Sequence, residues 1–301
     1  MTERKRHSAP MMTDVDTKVP RFEPRTFGSE HSFARIGTGS VGGKAVGLQQ
    51  IRQDILPRFD ASGFEGVSVG VPRAVVVATD VFTEFVHRNR LDVVVRSGTP
   101  DSRIALDFQR GELTEEVRSD LRKLIGILRS PLAIRPSSFL EDTQKRAFAG
   151  IYSSKLIPNS EESDDARYRR LSSAIKLAWA STFFENAVVS RRASGLADDA
   201  EKMAVIIQEI VGARRDGRFY PTVAGLARSY NHYPVPGNKR EDGVVTVALG
   251  LGKSITDGDH VWSYCPGRPT APPPFKNTGD LLKFSQKSFW AVNVGEPPPP
   301  D

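Results

Sequence analysis

Cysteine is almost absent from this chain of 301 residues; Cys265 is the single example. One thiol excludes an internal disulfide framework and a cysteine-rich metal site. Close to Trp262 and Tyr264, it reads as a small packing residue. Histidine is scarce as well. The five are scattered with no His-x-x-x-His pair, which argues against a zinc or iron centre. No run approaches the roughly twenty apolar residues of a membrane-spanning helix. The start, Met1 to Val19, is polar and charged, unlike a secretory leader. Charge of one sign is also in short supply. An excess of +6, not clustered with aromatics, is a poor match for nucleic acid. No internal repeat is evident. These absences predict a protein of the reducing cytoplasm, without nucleic-acid or membrane partners, whose ligand is a small anion.

What is present is ample apolar material: 39% hydrophobic residues against 26% charged, enough for one large domain or two smaller ones. Residues 1–28 are polar, with Pro10, Pro20 and Pro24, and read as a flexible arm. Residues 29–200 read as a first subdomain and 201–265 as a second. From Pro266 onward lie nine of the twenty-one prolines, so 266–301 reads as an extended, poorly packed tail. A glycine-rich loop runs into a helix from Lys44 to Leu56, with Val46, Leu48, Ile51 and Ile55 near one face. Val67 to Val71 and Ala74 to Ala78 read as strands. Thr79 is the expected N-cap of a helix from Asp80 to Arg90, and a polar helix spans Thr114 to Leu128. A long helical pattern runs from Ser163 to Ser194, with Gly195 as its stop. Met203 to Val211, Tyr220 to Ala227 and Val244 to Leu249 are further strand candidates.

Three stretches carry chemistry. Leu132-Ala-Ile134 is a buried-strand pattern with Arg135 at its end, followed by Ser137, Ser138, the acidic pair Glu141-Asp142 and Phe148-Ala-Gly150. A fixed guanidinium before a small-residue loop suits a phosphate chain, although an arginine in this place is more often a structural ion-pair residue. In Gly37-Thr-Gly-Ser-Val-Gly-Gly-Lys44, the glycines at 37, 39 and 42 fit the dinucleotide spacing, but the preceding strand is short and Asp60 sits in a loop-like run. A phosphate-binding P-loop fails outright, with Thr38 where glycine is needed and Ala45 where a hydroxyl should hold Mg²⁺. What remains is a lysine and open amides at a helix start, which either bind an anion or form an ordinary glycine turn. Gln208-Glu209 interrupts an apolar strand. Either this is a strand edge that pairs a purine's exocyclic amine, or it is plain alternation at an edge.

The order of these pieces resembles a known family. Gly-Gly-Lys44-Ala-Val-Gly-Leu, Val71-Pro-Arg73, Ile134-Arg-Pro-Ser-Ser138, Phe148-Ala-Gly150, Ala178-Trp-Ala-Ser181, Met203-Ala-Val-Ile-Ile-Gln208 and Gly250-Leu-Gly252 together resemble the N-terminal ATP-binding domain of phosphoenolpyruvate synthase and pyruvate phosphate dikinase. Rifampicin phosphotransferases share it. The resemblance covers about residues 33–265. It implies an α/β (α+β) fold of ATP-grasp type, with two subdomains and a nucleotide cleft between them. It implies ATP as ligand, with Lys44 and Arg135 on the phosphates and Arg135 serving catalysis. Gln208, Glu209 and Ile210 become the hinge at the adenine edge, Gly150 part of a phosphate flap, and Arg228 a further anion contact. Catalysis in such enzymes is mainly positioning and charge neutralisation.

Two departures stand out. Lys253 occupies the place of the family's acidic residue, so Mg²⁺ is left without its expected ligand unless Asp257 or Asp259 substitutes; alternatively Lys253 itself meets phosphate. Pro136 replaces the first serine of the Val-Arg-Ser-Ser motif. The resemblance also implies a phosphohistidine domain, here expected on another chain. The alternatives are thus a phosphotransferase component and a catalytically degenerate nucleotide-binding module.

Overall fold

The computed structural model describes residues 18–60, 62–95, 98–138, 150–195, 201–235, 237–269 and 277–295. It divides into two compact units, Met1–Ile210 and Val211–Asp301. In the first unit the elements are β1 (Phe33–Ile36), α1 (Gly42–Gln50), β2 (Ala74–Val77), α2 (Thr79–Arg88), α3 (Leu91–Val94), α4 (Asp101–Arg110), α5 (Glu115–Ile127), β3 (Leu132–Ser137), β4 (Lys155–Ile157), α6 (Asp164–Ala180), α7 (Glu185–Ala193) and β5 (Ala204–Glu209). The strands form one mixed sheet in the order β1-β2-β5-β3-β4. β1 and β2 are parallel, and every other pairing is antiparallel.

The run Ala204-Val-Ile-Ile207 is apolar without alternation because both faces of β5 are covered. On one face Val75, Val77, Leu132, Ile134, Val205 and Ile207 pack against the helices. Trp179 is enclosed there, 5.0 Å from the Phe85 ring and 6.0 Å from that of Phe82. Its Nε1 donates to the Met203 carbonyl at 3.2 Å, so its one polar atom is satisfied. On the other face Phe33, Ala74, Val76, Ala204 and Ile206 meet Val41 and Ala45 at the start of α1.

The second unit comprises β6 (Ala213–Arg215), β7 (Arg218–Tyr220), β8 (Ala224–Arg228), β9 (Val244–Ala248), α8 (Lys253–Thr256), β10 (Trp262–Tyr264), α9 (Thr278–Phe284) and β11 (Val292–Asn293). Its strands make two antiparallel sheets of three, β10-β9-β8 and β11-β7-β6.

Several sequence-based expectations are corrected. α1 is regular only to Gln50; a wider π turn follows at Ile51–Ile55, and Ile51 and Ile55 are exposed. The helix buries Gly42, Ala45 and Gln49 instead, because it lies close on the sheet. Val67 and Val69 are exposed and belong to no strand. Thr79 lies inside α2, and its Oγ accepts from the Ser40 N–H at 3.0 Å rather than capping that helix. The helical pattern of 163–194 is interrupted. A 3₁₀ turn at Ser181–Phe183 and extended Phe184 separate α6 from α7, and the Ser181 hydroxyl donates to the Ala178 carbonyl at the break. Strand β3 runs three residues beyond Ile134, so Arg135 lies within it.

The arm and the tail differ from expectation too. Residues 1–17 lie outside the described residues, but Val19, Phe22 and Phe27 are buried, and Pro20 and Phe22 exchange backbone bonds with Arg35. In the tail, β11 pairs with β7 and Val292 and Val294 are buried.

Candidate functional site

The glycine loop packs against protein. A Cβ at Gly37 would stand 2.6 Å from an Asp80 carboxylate oxygen, and one at Gly39 2.6 Å from the Asp80 nitrogen. At Gly42, with φ +76°, it would stand 2.1 Å from the Ser137 carbonyl oxygen. The Asp80 carboxylate accepts from the Thr38 N–H at 2.7 Å and the Thr38 hydroxyl at 2.9 Å. Burial pushes the Asp80 carboxyl up, but these bonds, with those from the Gly39 and Val81 amides, outweigh it and hold the group below the usual aspartate range.

The first amides of α1 are occupied in the same way. Gly42 N–H donates to Ser40 Oγ, Gly43 N–H to the Ser138 carbonyl and Ala45 N–H to Ser137 Oγ. The open-amide anion site read from the sequence is therefore corrected. The protein itself satisfies these three of the donors that an anion would use. Ser137 closes the clamp by donating to the Val41 carbonyl at 3.0 Å.

Lys44 points back to β3. Its Nζ donates to the Pro136 carbonyl at 3.2 Å. Arg135, one residue earlier, donates from Nη1 to Gln208 Oε1 at 3.2 Å. Ala133 pairs with Gln208 and Arg135 with Ile206 in the register, so Arg135 and Gln208 project from the face that α1 covers. Lys44, Arg135 and Gln208 thus come together at one end of α1. Pro136 is tolerated in the strand because β4 pairs only with Leu132–Ile134.

The rest of the expected hinge is arranged differently. β5 is an inner strand, so neither edge reading of Gln208-Glu209 holds. Glu209 N–H donates to the Arg73 carbonyl and Ile210 N–H to the Pro131 carbonyl. The Glu209 carboxylate, on the face opposite Gln208, takes Arg73 side-on: Nε to Oε2 at 2.6 Å and Nη2 to Oε1 at 2.9 Å. That bond raises the Arg73 pKa against the opposing effect of burial.

Gly150 is exposed with φ +81°, directly after residues 139–149, so Glu141, Asp142 and the Phe148-Ala149 flap lie outside the described residues. Arg228 closes β8 and Lys253 opens α8, both in the second unit. Asp80 entered the sequence reading only as a helix start, and Ser137 and Arg73 only as members of motifs; the structure gives all three a role at the site. Their signals were Thr-Asp after a β-branched strand, a small hydroxyl at a strand end, and an arginine after Val-Pro.

The family described as pyruvate phosphate dikinase, AMP/ATP-binding domain, matches residues 38–262. The chain belongs to this family. It is similar to the phosphoenolpyruvate synthase of Aeropyrum pernix, 25% identical over 240 residues that cover 72% of this chain and 25% of that protein. It is similar to the rifampicin phosphotransferase of Streptomyces sviceus, 28% identical over 236 residues, 72% of this chain and 23% of that one. A probable phosphoenolpyruvate synthase of Staphylothermus marinus is 30% identical over 152 residues, 49% of this chain and 16% of its own length. The chain spans about a quarter or less of the length of these curated relatives.

Within this pyruvate phosphate dikinase family member, the Gly250-Leu-Gly252 corner does not fit a divalent cation. Lys253 forms an ion pair with Asp257, and its Nζ lies 4.5 Å from the centre of the Trp290 ring. A protonated amine cannot ligate a metal, and here it pairs with the Asp257 carboxylate. Among the described residues no three His, Cys, Asp or Glu side chains are grouped as a metal would need. No helix of the described residues is long and apolar enough to cross a membrane.

Proposed function

We propose that this chain binds ATP in an ATP-grasp-type fold, as a phosphotransferase component that works with a phosphohistidine domain on another chain. Lys44 and Arg135 hold the phosphates, and Arg135 neutralises charge during transfer. Gln208 contributes its side-chain amide at the base. Because the Glu209 and Ile210 N–H groups already donate within the sheet, a backbone contact from these two residues to the base falls to their carbonyls, which suits an exocyclic amine. Gly150, Arg228 and Lys253 are further candidate phosphate contacts. One observation carries the reading beyond family membership: Lys44 reaches the carbonyl next to Arg135, so two cations and an amide meet on one sheet face.

The test is ATP titration of Lys44→Ala and Arg135→Ala. Each should weaken affinity roughly tenfold or more, since charge-assisted bonds are worth about 1.5–3 kcal/mol. Unchanged affinity in both variants overturns the reading.

The Lys253–Asp257 pair favours a second reading, a nucleotide-binding module without turnover. In that case ATP raises the melting temperature and is not consumed. Steady release of AMP and phosphate selects the enzyme instead. Lys253→Glu should increase Mg²⁺-dependent ATP binding if this corner is the family's metal position.

A further inference from the structure

A cavity of about 560 Å³ opens within the first unit, lined by the end of α4, the loop after it, the start of α5 and one side of α6. From α6 come Tyr168, Ser172 and Lys176, a single stripe at i, i+4 and i+8. Tyr168 offers no open stacking face, because the Arg122 guanidinium lies over its ring, 4.4 Å from the centre. A hollow of this size takes a small molecule, and its polar lining argues against an apolar one.

Ser172 is only 6% exposed, yet its hydroxyl forms no hydrogen bond among the described residues. One turn on, the half-buried Lys176 donates from Nζ to the Gln109 carbonyl at 3.2 Å, which uses one of its three N–H donors. Burial lowers the Lys176 pKa against the opposing effect of the Glu112 charge. Arg110, Arg118, Arg122 and Arg169 also line the cavity, and all four are exposed. The lining carboxylates are Glu112 and Glu115, so five cations face two anions. Arg118 pairs with Glu115, and Arg122 and Arg169 pair with Asp165; with Asp165 counted, the cations are still in excess. These pairs stand at the surface, where an ion pair is worth little, so a ligand of higher charge displaces them at small cost. Arg110 has no ion-pair partner among the described residues.

Donors that line one hollow from three helices suit a tetrahedral group with several acceptor oxygens better than a planar one. We propose that this cavity binds a small phosphate-bearing molecule, held by the Lys176 ammonium, the Ser172 hydroxyl and the Arg110 guanidinium, with Arg118 and Arg122 adding charge. Neither Lys44 nor Arg135 lines it, so the site is independent of the proposed ATP site.

The experiment titrates inorganic pyrophosphate into the full chain by calorimetry at fixed ionic strength, in the parent and in a Lys44→Ala, Arg135→Ala double variant. Saturable binding is expected in both, which separates this site from the one proposed for ATP. Arg110→Glu and Lys176→Met should each weaken it by about tenfold or more, as the loss of a charge-assisted contact does. Lys123→Glu makes the same change of charge on α5 outside the cavity and should alter affinity by less than about twofold. Absence of saturable binding at millimolar pyrophosphate would overturn the proposal. So would its loss in a folded double variant, unchanged affinity in Arg110→Glu, or an equal loss in Lys123→Glu. Arg110 is exposed, so its variant keeps the test decisive if Lys176→Met fails to fold.

Discussion

The two faces of the five-stranded sheet are built on opposite principles. One is buried under helices in a continuous apolar cluster that includes Trp179, Phe85 and Phe108. The other has a thin cover, eight buried residues in which small side chains at Ala45, Ala74 and Ala204 let α1 lie close. Arg135, Gln208 and Lys44 are at the margin of that thin face. The difference separates two tasks. Stability is concentrated where apolar area is removed from water. Polar groups gather where the cover is narrow enough to leave them partly accessible, so their loss should affect a ligand more than the fold.

That contrast can be broken by substitution. The largest effect is expected from Trp179→Ala, which empties an enclosed site and strands the Met203 carbonyl; about 3–5 kcal/mol should be lost in denaturant unfolding. A loss under about 1 kcal/mol would show that the aromatic cluster is not the stabilising face. Gly42→Ala comes next. Its φ of +76° and the 2.1 Å approach to the Ser137 oxygen force α1 off the sheet. A loss of roughly 2–3 kcal/mol is expected from the backbone strain, with weaker ATP binding. Retained stability would mean that the clamp adjusts freely. On the thick side, Ser163→Ala removes the cap that accepts the Ala166 N–H at 3.1 Å and should cost about 1 kcal/mol, read as a lower unfolding midpoint.

The smallest effect sharpens the comparison through pH. Asp80 anchors the glycine loop with a carboxyl held below its usual pKa, so its contribution is present above the unfolded value, about 3.9, and is lost as pH falls through the folded value. Asp80→Asn should therefore be less stable than the parent at pH 7, and the gap should close below about pH 4. A gap independent of pH would show that the carboxylate's charge does not matter to the loop.

Much of this was legible beforehand, and the failures have causes. β5 was readable because a β-branched run needs no alternation when both faces are covered. The order of motifs identified the family. The stripe Val46-Leu48-Ile51-Ile55 misled because periodicity reports which residues are apolar, whereas a helix close to a sheet buries its smallest ones. Gln208-Glu209 looked like an edge because the two polar side chains reflect opposite faces of one inner strand. One is met by Arg135 and the other by Arg73, residues distant in sequence.

By itself the sequence determined local chemistry: a strand ending in a hydroxyl pair, a glycine turn before a lysine, a chain too poor in cysteine and histidine for a metal centre of that kind. Only tertiary structure decided what those glycines and hydroxyls do. They close α1 onto β3 and consume the amides that looked available to an anion, since each donor meets whichever acceptor the packed sheet brings within reach.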